Sequence, residues 1–213
     1  SGMKYIFDND EFDYLIPMDG DGEDRAEEIS KFIEFLKYDN LKPIVGERIK
    51  RSEGLIFKLS YETHKLVTYI FTGQSIKFGN YTCLPKSTVE KMINEKATWS
   101  SFSGSLAKLE KNRSTIPSIR GLRYFGPSKM SFYNLIKHSL SIISVFRKTF
   151  LVRSALFIIF YILLIKSYAS VITAIPLVFL LIAVYAISNL ALRENMEEFE
   201  KSLENISNID TIK

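Results

Sequence analysis

Two long apolar runs near the C-terminal end, joined by only four residues, constrain this chain more than any other feature. Phe150 to Ile165 is broken only by Arg153 and Ser154, and Ser170 to Leu192 carries no charge. A helix needs about 20 apolar residues to cross a hydrocarbon core of about 30 Å. The second run meets that length. The first is shorter and borrows Val145 and Phe146, with Arg147, Lys148 and Arg153 reaching toward headgroups. Lys166-Ser167-Tyr168-Ala169 suffices for a tight turn and no more. The expectation is a two-span hairpin over 150–193 with both ends on one side of a membrane. Arg147, Lys148, Arg153 and Arg193 flank the pair while the turn holds only Lys166, and positive residues favour the cytoplasmic side. The N-terminal part and the tail, 194–213, are therefore expected to be cytoplasmic. The competing reading, a buried hairpin in a soluble helical protein, is disfavoured by the length of the uncharged run.

Charge is unevenly spread. The net charge is +4, yet Asp8 to Glu34 holds eleven acidic and two basic side chains, and Lys111 to Arg193 holds no Asp or Glu. The acidic end suits a metal ion or a cationic group. The basic end, which contains aromatic residues, suits anionic headgroups or a lipid phosphate. It runs straight into an apolar span, which argues against nucleic acid as a partner. The single Cys83 excludes an intramolecular disulfide and fits a reducing compartment. No secretory-leader pattern stands at the start, where Lys4-Tyr5-Ile6-Phe7 reads as the end of a helix.

Between the two ends the pattern is mixed α and β. Tyr14 to Met18 reads as a buried strand closed by Asp19-Gly20-Asp21-Gly22. Arg25 to Tyr38 has Ile29, Phe32, Ile33 and Leu36 at helical spacing, with Asp24 as the expected N-cap and Glu27 completing a capping box. Lys42 to Gly46 reads as a second strand, so this stretch predicts a βαβ unit with parallel strands. Further on, the pattern predicts a helix over 54–71 closed by Gly73, a strand over 75–84, a helix over 86–95 and a strand over 113–120. Over 131–146, Phe132, Leu135, Ile136, Ser139, Leu140 and Ile143 form one stripe, as in an amphipathic helix lying on a membrane surface. After Arg193 a short acidic helix is expected, with little to bury.

The residues able to do chemistry cluster in Asp19-Gly20-Asp21-Gly22-Glu23-Asp24, beyond the carboxyl end of a strand, where open α/β sheets bind ligands. Asp19 and Asp21, spaced by one small residue, can both face a hard cation. Mg²⁺ or Mn²⁺ would take one or two such carboxylates plus phosphate oxygens. A solvated acidic turn is the plainer reading of the same motif. An EF-hand is excluded because the twelfth position counted from Asp19 is Ser30 and not Glu. Arg48, with Lys50 and Arg51 behind it, ends the second strand and could hold a phosphate. Arg123 and Lys129 lie just ahead of the amphipathic helix, at the depth of a lipid phosphate.

Several segments together resemble one family. Phe12 to Asp24 looks like the strand and Asp-x-Asp loop of family-2 glycosyltransferases of GT-A fold, of the polyprenyl-phosphate sugar synthase type. Pro43-Ile44-Val45-Gly46-Glu47-Arg48 is similar to that family's Val-Gly-x-Arg strand end. The segment Arg120-Gly121-Leu122-Arg123-Tyr124 through Phe132 resembles its basic premembrane segment. The resemblance implies four regions: a partial GT-A (Rossmann-like) domain over 1–125, an interfacial amphipathic helix over 126–149, a transmembrane hairpin over 150–193 and a cytoplasmic tail. It implies an inverting transfer from a nucleotide-sugar to a lipid-phosphate acceptor. Asp19, Asp21 and Glu23 would then serve the donor, Asp21 and Asp19 the metal, and Arg48, Arg123 and Lys129 the acceptor phosphate. A homo-oligomer is compatible with it. The chain departs from the family in two ways. Lys77-Phe78-Gly79-Asn80-Tyr81 stands where an acceptor loop usually carries an Asp, so no catalytic base can be named. The family's N-terminal nucleotide-binding unit is expected to be missing from this chain. A non-catalytic two-span membrane protein that binds a partner is the alternative.

Overall fold

The computed structural model describes residues 2–39, 41–50, 55–124, 126, 132–192, 194–201 and 204. In chain order the elements are α1 (Gly2–Asn9), β1 (Tyr14–Leu15), a 3-10 turn (Ala26–Glu28), α2 (Ile29–Leu36), β2 (Ile44–Lys50), α3 (Leu55–Thr72), β3 (Phe78–Pro85), α4 (Lys86–Ile93), α5 (Ala97–Ser100), α6 (Phe102–Leu109), β4 (Ser114–Ile119), α7 (Phe132–Ser144), α8 (Arg147–Ile165), α9 (Val171–Ala191) and α10 (Met196–Lys201). They fall into two compact units. One comprises 1–52, 77–129 and 194–213; the other comprises 53–76 and 130–193.

The first unit is built on a mixed four-stranded sheet in the order β1-β3-β2-β4. β3 runs antiparallel to both β1 and β2, and β2 runs parallel to β4. The first strand and the second therefore point the same way, as the βαβ pattern predicts, but they are not neighbours: β3, reversed, lies between them. Alternation along a strand sends successive side chains to opposite faces. Ile44 and Cys83 accordingly join Phe32 of α2, Tyr81 and Ile116 on one side, while Val45 and Leu84 join Val89, Met92, Ile93 and Leu106 of α4 and α6 on the other. Met3 and Phe7 of α1 cover that second cluster, and so does Met196. The tail helix thus has something to bury, contrary to the sequence reading, because Met196 docks on the sheet core.

Two local expectations change. The helix after the acidic loop begins with a 3-10 turn whose N-cap is Arg25, with no side-chain cap bond. Asp24 instead turns back, its Oδ2 accepting from the Asp19 N–H at 3.0 Å. The carboxylate closes the loop rather than opening the helix. The helix α6 went unread in the sequence. Ser101 starts it, accepting from the Gly104 N–H at 3.1 Å.

The second unit is helical: α3, α7, α8 and α9. Ile143, Phe150 and Ile187 are its buried centre, with Phe71, Leu140, Leu151, Ala183 and Val184 packed around them. The Leu140–Ile143 part of the amphipathic stripe thus packs on the base of the hairpin. α8 and α9 are long and apolar enough to cross a membrane, and only 11% of each apolar stretch is buried. A soluble core helix of that composition would be mostly buried. The turn between them is tight, the Tyr168 N–H donating to the Ile165 carbonyl at 2.7 Å, and Ser170 and Thr173 form a capping box at the start of α9.

Candidate functional site

Because β1, β2 and β4 share a direction, their carboxyl ends lie along one edge of the sheet. The Asp19–Asp24 loop follows β1, Arg48 sits near the end of β2, and Arg120 follows β4. The topology thus gathers residues separated by 100 positions in the chain. Lys77, just ahead of the reversed β3, reaches the same edge and pairs with Glu47 at 3.2 Å.

The acidic loop and the segment after β4 are fastened together at three levels. The backbone comes first. The Gly121 N–H donates to the Glu23 carbonyl at 2.8 Å, and the Tyr124 N–H donates to the Asp21 carbonyl at 2.9 Å. Glycines permit this approach. A Cβ on Gly121 would stand 2.3 Å from the Gly22 carbonyl oxygen, and Gly22, at φ +89°, has the Tyr124 ring 2.8 Å from where its Cβ would be. The left-handed region and the lack of space both select glycine. The third level is charge. Glu23, with its side chain 11% exposed, takes Arg123 in a two-pronged pair, Nε to Oε1 at 2.9 Å and Nη2 to Oε2 at 3.3 Å. Arg120 also pairs with Glu23 Oε2. Planar guanidinium–carboxylate forks of this kind fix orientation as well as charge.

Asp21 is shared. Its Oδ1 accepts from the Glu23 N–H at 3.0 Å and its Oδ2 lies 3.2 Å from Arg123 Nη2. Asp19 is exposed at the loop's outer end. Burial pulls the Arg120 guanidinium below its usual value, Arg123 beside it adds to that, and Asp21 and Asp19 push back. These four groups feel one another electrostatically.

Two buried groups hold this edge from beneath. Glu28, at the end of the 3-10 turn, accepts from Lys31 Nζ at 2.8 Å, Ser118 Oγ at 2.7 Å and the Ile119 N–H at 3.2 Å. It ties the start of α2 to the last residues of β4, next to Arg120. Burial raises its pKa, but the three donors together outweigh burial and hold the carboxyl below its usual range. Tyr81 donates its hydroxyl to the Arg25 carbonyl at 2.6 Å and packs edge-on against Phe32. Burial, with Glu28, Asp24 and Glu27 nearby, pushes its phenol up to about 12.

Of the residues expected to act, Asp19, Asp21, Glu23 and Arg123 are brought together. Arg48 has its backbone in β2 opposite Ser118 of β4, and its side chain lies outside the described part of the structure. Lys129 lies outside the described residues altogether. Arg120 and Tyr124 stood in the basic run read from sequence without a role of their own, and Glu28 was not singled out. Arg120 stood in plain view in the Arg-Gly-x-Arg-Tyr run, but nothing local tied it to Glu23. Asp19 and Asp21 offer hard oxygen donors, which suits Mg²⁺ or Mn²⁺ filling its other positions with water and phosphate. Among the described residues, no group of three or more His, Cys, Asp or Glu side chains is arranged to hold a metal ion by itself. The chain matches no family model, no curated protein and no solved structure.

Proposed function

We propose that this chain is part of a membrane-anchored, metal-dependent inverting glycosyltransferase of GT-A type, transferring a sugar from a nucleotide-sugar to a lipid-phosphate acceptor of the polyprenyl-phosphate kind. One observation carries the reading. A carboxylate pair and an arginine pair are locked together at the edge where β1, β2 and β4 end, in a chain that also holds two membrane-length helices. Transfer from a nucleoside diphosphate to a phosphate needs both signs of charge within one site. Cationic groups hold phosphates, and carboxylates hold a cation that balances the leaving diphosphate.

In this reading the acceptor's phosphate oxygen attacks the anomeric carbon as the bond to the diphosphate oxygen breaks, with inversion. Arg123, and Arg48 and Lys129 with it, would hold the acceptor phosphate. Asp21 and Asp19 would hold Mg²⁺ or Mn²⁺, whose charge would offset that of a departing diphosphate. Glu23, fully occupied by Arg120 and Arg123, orients the arginines more than it touches a donor. A phosphate acceptor is already an anion near neutral pH, since its second pKa is about 6. No side chain has to remove a proton from it, so the lack of a nameable base at Lys77–Tyr81 does not count against this acceptor. Docking of Met196 on the sheet core supports having the tail and the sheet on one side of the membrane. The basic residues ahead of α8 support that side being the cytoplasm.

The test is calorimetric binding of UDP and GDP, with and without Mn²⁺, to the extended protein that carries the nucleotide-binding unit, in lipid nanodiscs. Mn²⁺-dependent binding that Asp21→Asn abolishes is the expected result. Equal binding by both forms would remove Asp21 from the mechanism. A second reading, a non-catalytic two-span membrane protein that recruits a partner, draws on the Asp21–Arg123 pair, which already balances the loop's charge. Under it, Asp21→Asn and Arg123→Gln would lower stability alike while no nucleotide binds either form.

A further inference from the structure

We propose that the C-terminal half of α3 is a lipid-facing element that shares a bilayer layer with the first turns of α8, where Arg153 caps it. The proposal rests on α8 and α9 being membrane spans. It goes beyond the sequence reading, which assigns this helix to the sheet domain.

The orientation of the helix is inverted for water. Thr68 and Thr72 are 2% and 3% exposed, while Leu66, Tyr69 and Ile70 are 59%, 59% and 51% exposed. Residues at i, i+3 and i+4 share one face, so the apolar side chains form an outward stripe and the hydroxyls point inward. The inward side packs along α7 and α8. Thr72 satisfies its own hydroxyl by donating to the Thr68 carbonyl at 2.5 Å. In water this arrangement wets apolar surface while burying hydroxyls, opposite to what burial favours. Facing lipid it is the favoured one, because small hydroxyl residues suit helix–helix contacts and large apolar ones suit acyl chains. The spans follow the same rule: Ser154 of α8 is buried, while Leu156 and Phe160 on that helix are exposed.

Depth is set by Arg153. It stands six residues beyond Arg147, about 9 Å along the helix axis. An arginine at that depth needs partners. Its Nη1 donates to the carbonyls of Tyr69 and Ile70 at 3.2 and 2.7 Å. These belong to the last turn of α3, which carries the negative end of the helix dipole. Gly73, at φ +74°, closes the helix, its N–H donating to the Tyr69 carbonyl at 2.8 Å. A Cβ at Gly73 would meet Arg153 Nη2 at 3.0 Å. Phe71 adds an aromatic contact with Phe150, ring centres 5.2 Å apart. The end of α3 is thereby pinned beside the second turn of α8. One turn earlier the Glu62–Lys65 pair, at 3.0 Å, marks the watery end of this face. The end of α3 packs on α8, which itself exposes Val152 and Leu156, and these outward apolar side chains commit the occupant to the bilayer.

The test attaches an environment-sensitive fluorophore to Ile70→Cys in the full chain, reconstituted into vesicles of phosphatidylcholine and phosphatidylglycerol. Cys83 is fully buried and its thiol is pushed up to about 11 by that burial, so the introduced cysteine takes the label. Phe179→Cys in α9 and Glu90→Cys in α4 serve as references. The expected result is loss of emission at 70 and 179 with brominated acyl chains, and no loss at 90. A label at 70 that is quenched by aqueous iodide but not by bromolipid, while 179 responds to bromolipid, overturns the proposal and leaves the spans intact. A label at 70 shielded from both quenchers means protein covers the stripe, which also overturns it. Failure at 179 as well removes the membrane reading beneath it. In Arg153→Gln the label at 70 is expected to shift toward water; an unchanged signal would strip Arg153 of its capping role.

Discussion

The sheet unit and the helical unit differ in what they leave at the surface. In the sheet unit Ile44, Cys83, Leu84, Val89, Met92 and Leu106 are fully buried, with Thr82 and Ser105 among them, while charged pairs such as Asp21–Arg123 stand toward the outside. In the helical unit Thr68, Thr72, Ser144 and Ser154 are buried, and Leu, Ile and Phe side chains line the outside. Under the proposed membrane reading the two surfaces suit different solvents. The hydrophobic effect drives burial in the sheet unit. It gives nothing between helices in lipid, where packing and satisfied polar groups take over.

The largest expected effect tests this difference directly. Leu84→Ala removes a fully buried side chain from the sheet core and should cost about 2–5 kcal/mol. Phe160→Ala removes a larger side chain that is 61% exposed on α8. It should leave the detergent-solubilised fold nearly as stable, because little packing is lost. Thermal unfolding of both variants in the same detergent is the measurement. Equal losses would show that α8 is packed like a soluble core, and the contrast between the units would fall.

Next in size is Gly121→Ala. Its new Cβ would stand 2.3 Å from the Gly22 carbonyl, an atom of the backbone that has no side chain to swing away. The clamp must open, at a cost of about 1–3 kcal/mol by analogy with overpacked interiors. Amide exchange at Gly121 and Tyr124 should rise while exchange in α9 stays as it was. Faster exchange in both units would mean that they unfold together and that the comparison concerns one cooperative body.

Glu28 offers a prediction in pH. Its folded pKa lies below the ordinary value of 4.5. A depressed carboxyl contributes stability that is fully present above the unfolded value and is lost as pH falls through the folded one. The sheet unit should therefore weaken on acidification below about pH 4.5, and α8 and α9, which lack acidic side chains, should not. Glu28→Gln should flatten that acid slope at a cost of about 1.5 kcal/mol near neutral pH, since it weakens charge-assisted bonds to Lys31, Ser118 and Ile119. Urea unfolding across that range measures both. A slope that persists in the variant would move the acid sensitivity elsewhere.

The same contrast explains what could be read from the sequence. The two long apolar helices were legible because length and lack of charge are local properties that do not depend on distant neighbours. Most strands and helices were legible from period and turn residues. The insertion of β3 between β1 and β2 was not, because pairing order is decided by contacts far apart in the chain. The helix α6 was hidden by its Ser and Gly content; the Ser101 cap, the 2.7 Å bond between Thr98 and Ser105 hydroxyls and the burial of Leu106 hold it. At the candidate site the charged residues themselves were visible, but their pairing was not. Glu23 looked like a donor contact until Arg120 and Arg123 were found on both of its oxygens. The allegiance of α3 was invisible for a related reason: an apolar stripe predicts burial without saying whether protein or lipid does the burying.

The smallest effect tests how each unit handles an arginine. Arg123 faces carboxylates at a surface reached by water and salt, whereas Arg153 faces the end of a helix. Arg153→Lys keeps the charge but replaces the planar guanidinium, whose Nη1 donates to both the Tyr69 and Ile70 carbonyls, with an ammonium of different reach and geometry. A cation at a helix C-terminus is worth about 0.3–1 kcal/mol, and the loss should be at the lower end because the ammonium stays near the dipole. Glu23→Gln should cost more at low salt, and part of that excess should shrink as salt rises, since Arg123 is partly exposed and ions screen charges within about 10 Å at 0.1 M. The Arg153→Lys loss should hold constant across the same salt range if lipid keeps ions from it. Unfolding of both variants in nanodiscs at low and high salt reads the difference. A salt response at Arg153 matching that at Glu23 would place the end of α3 in water, and the second unit would then begin at α7.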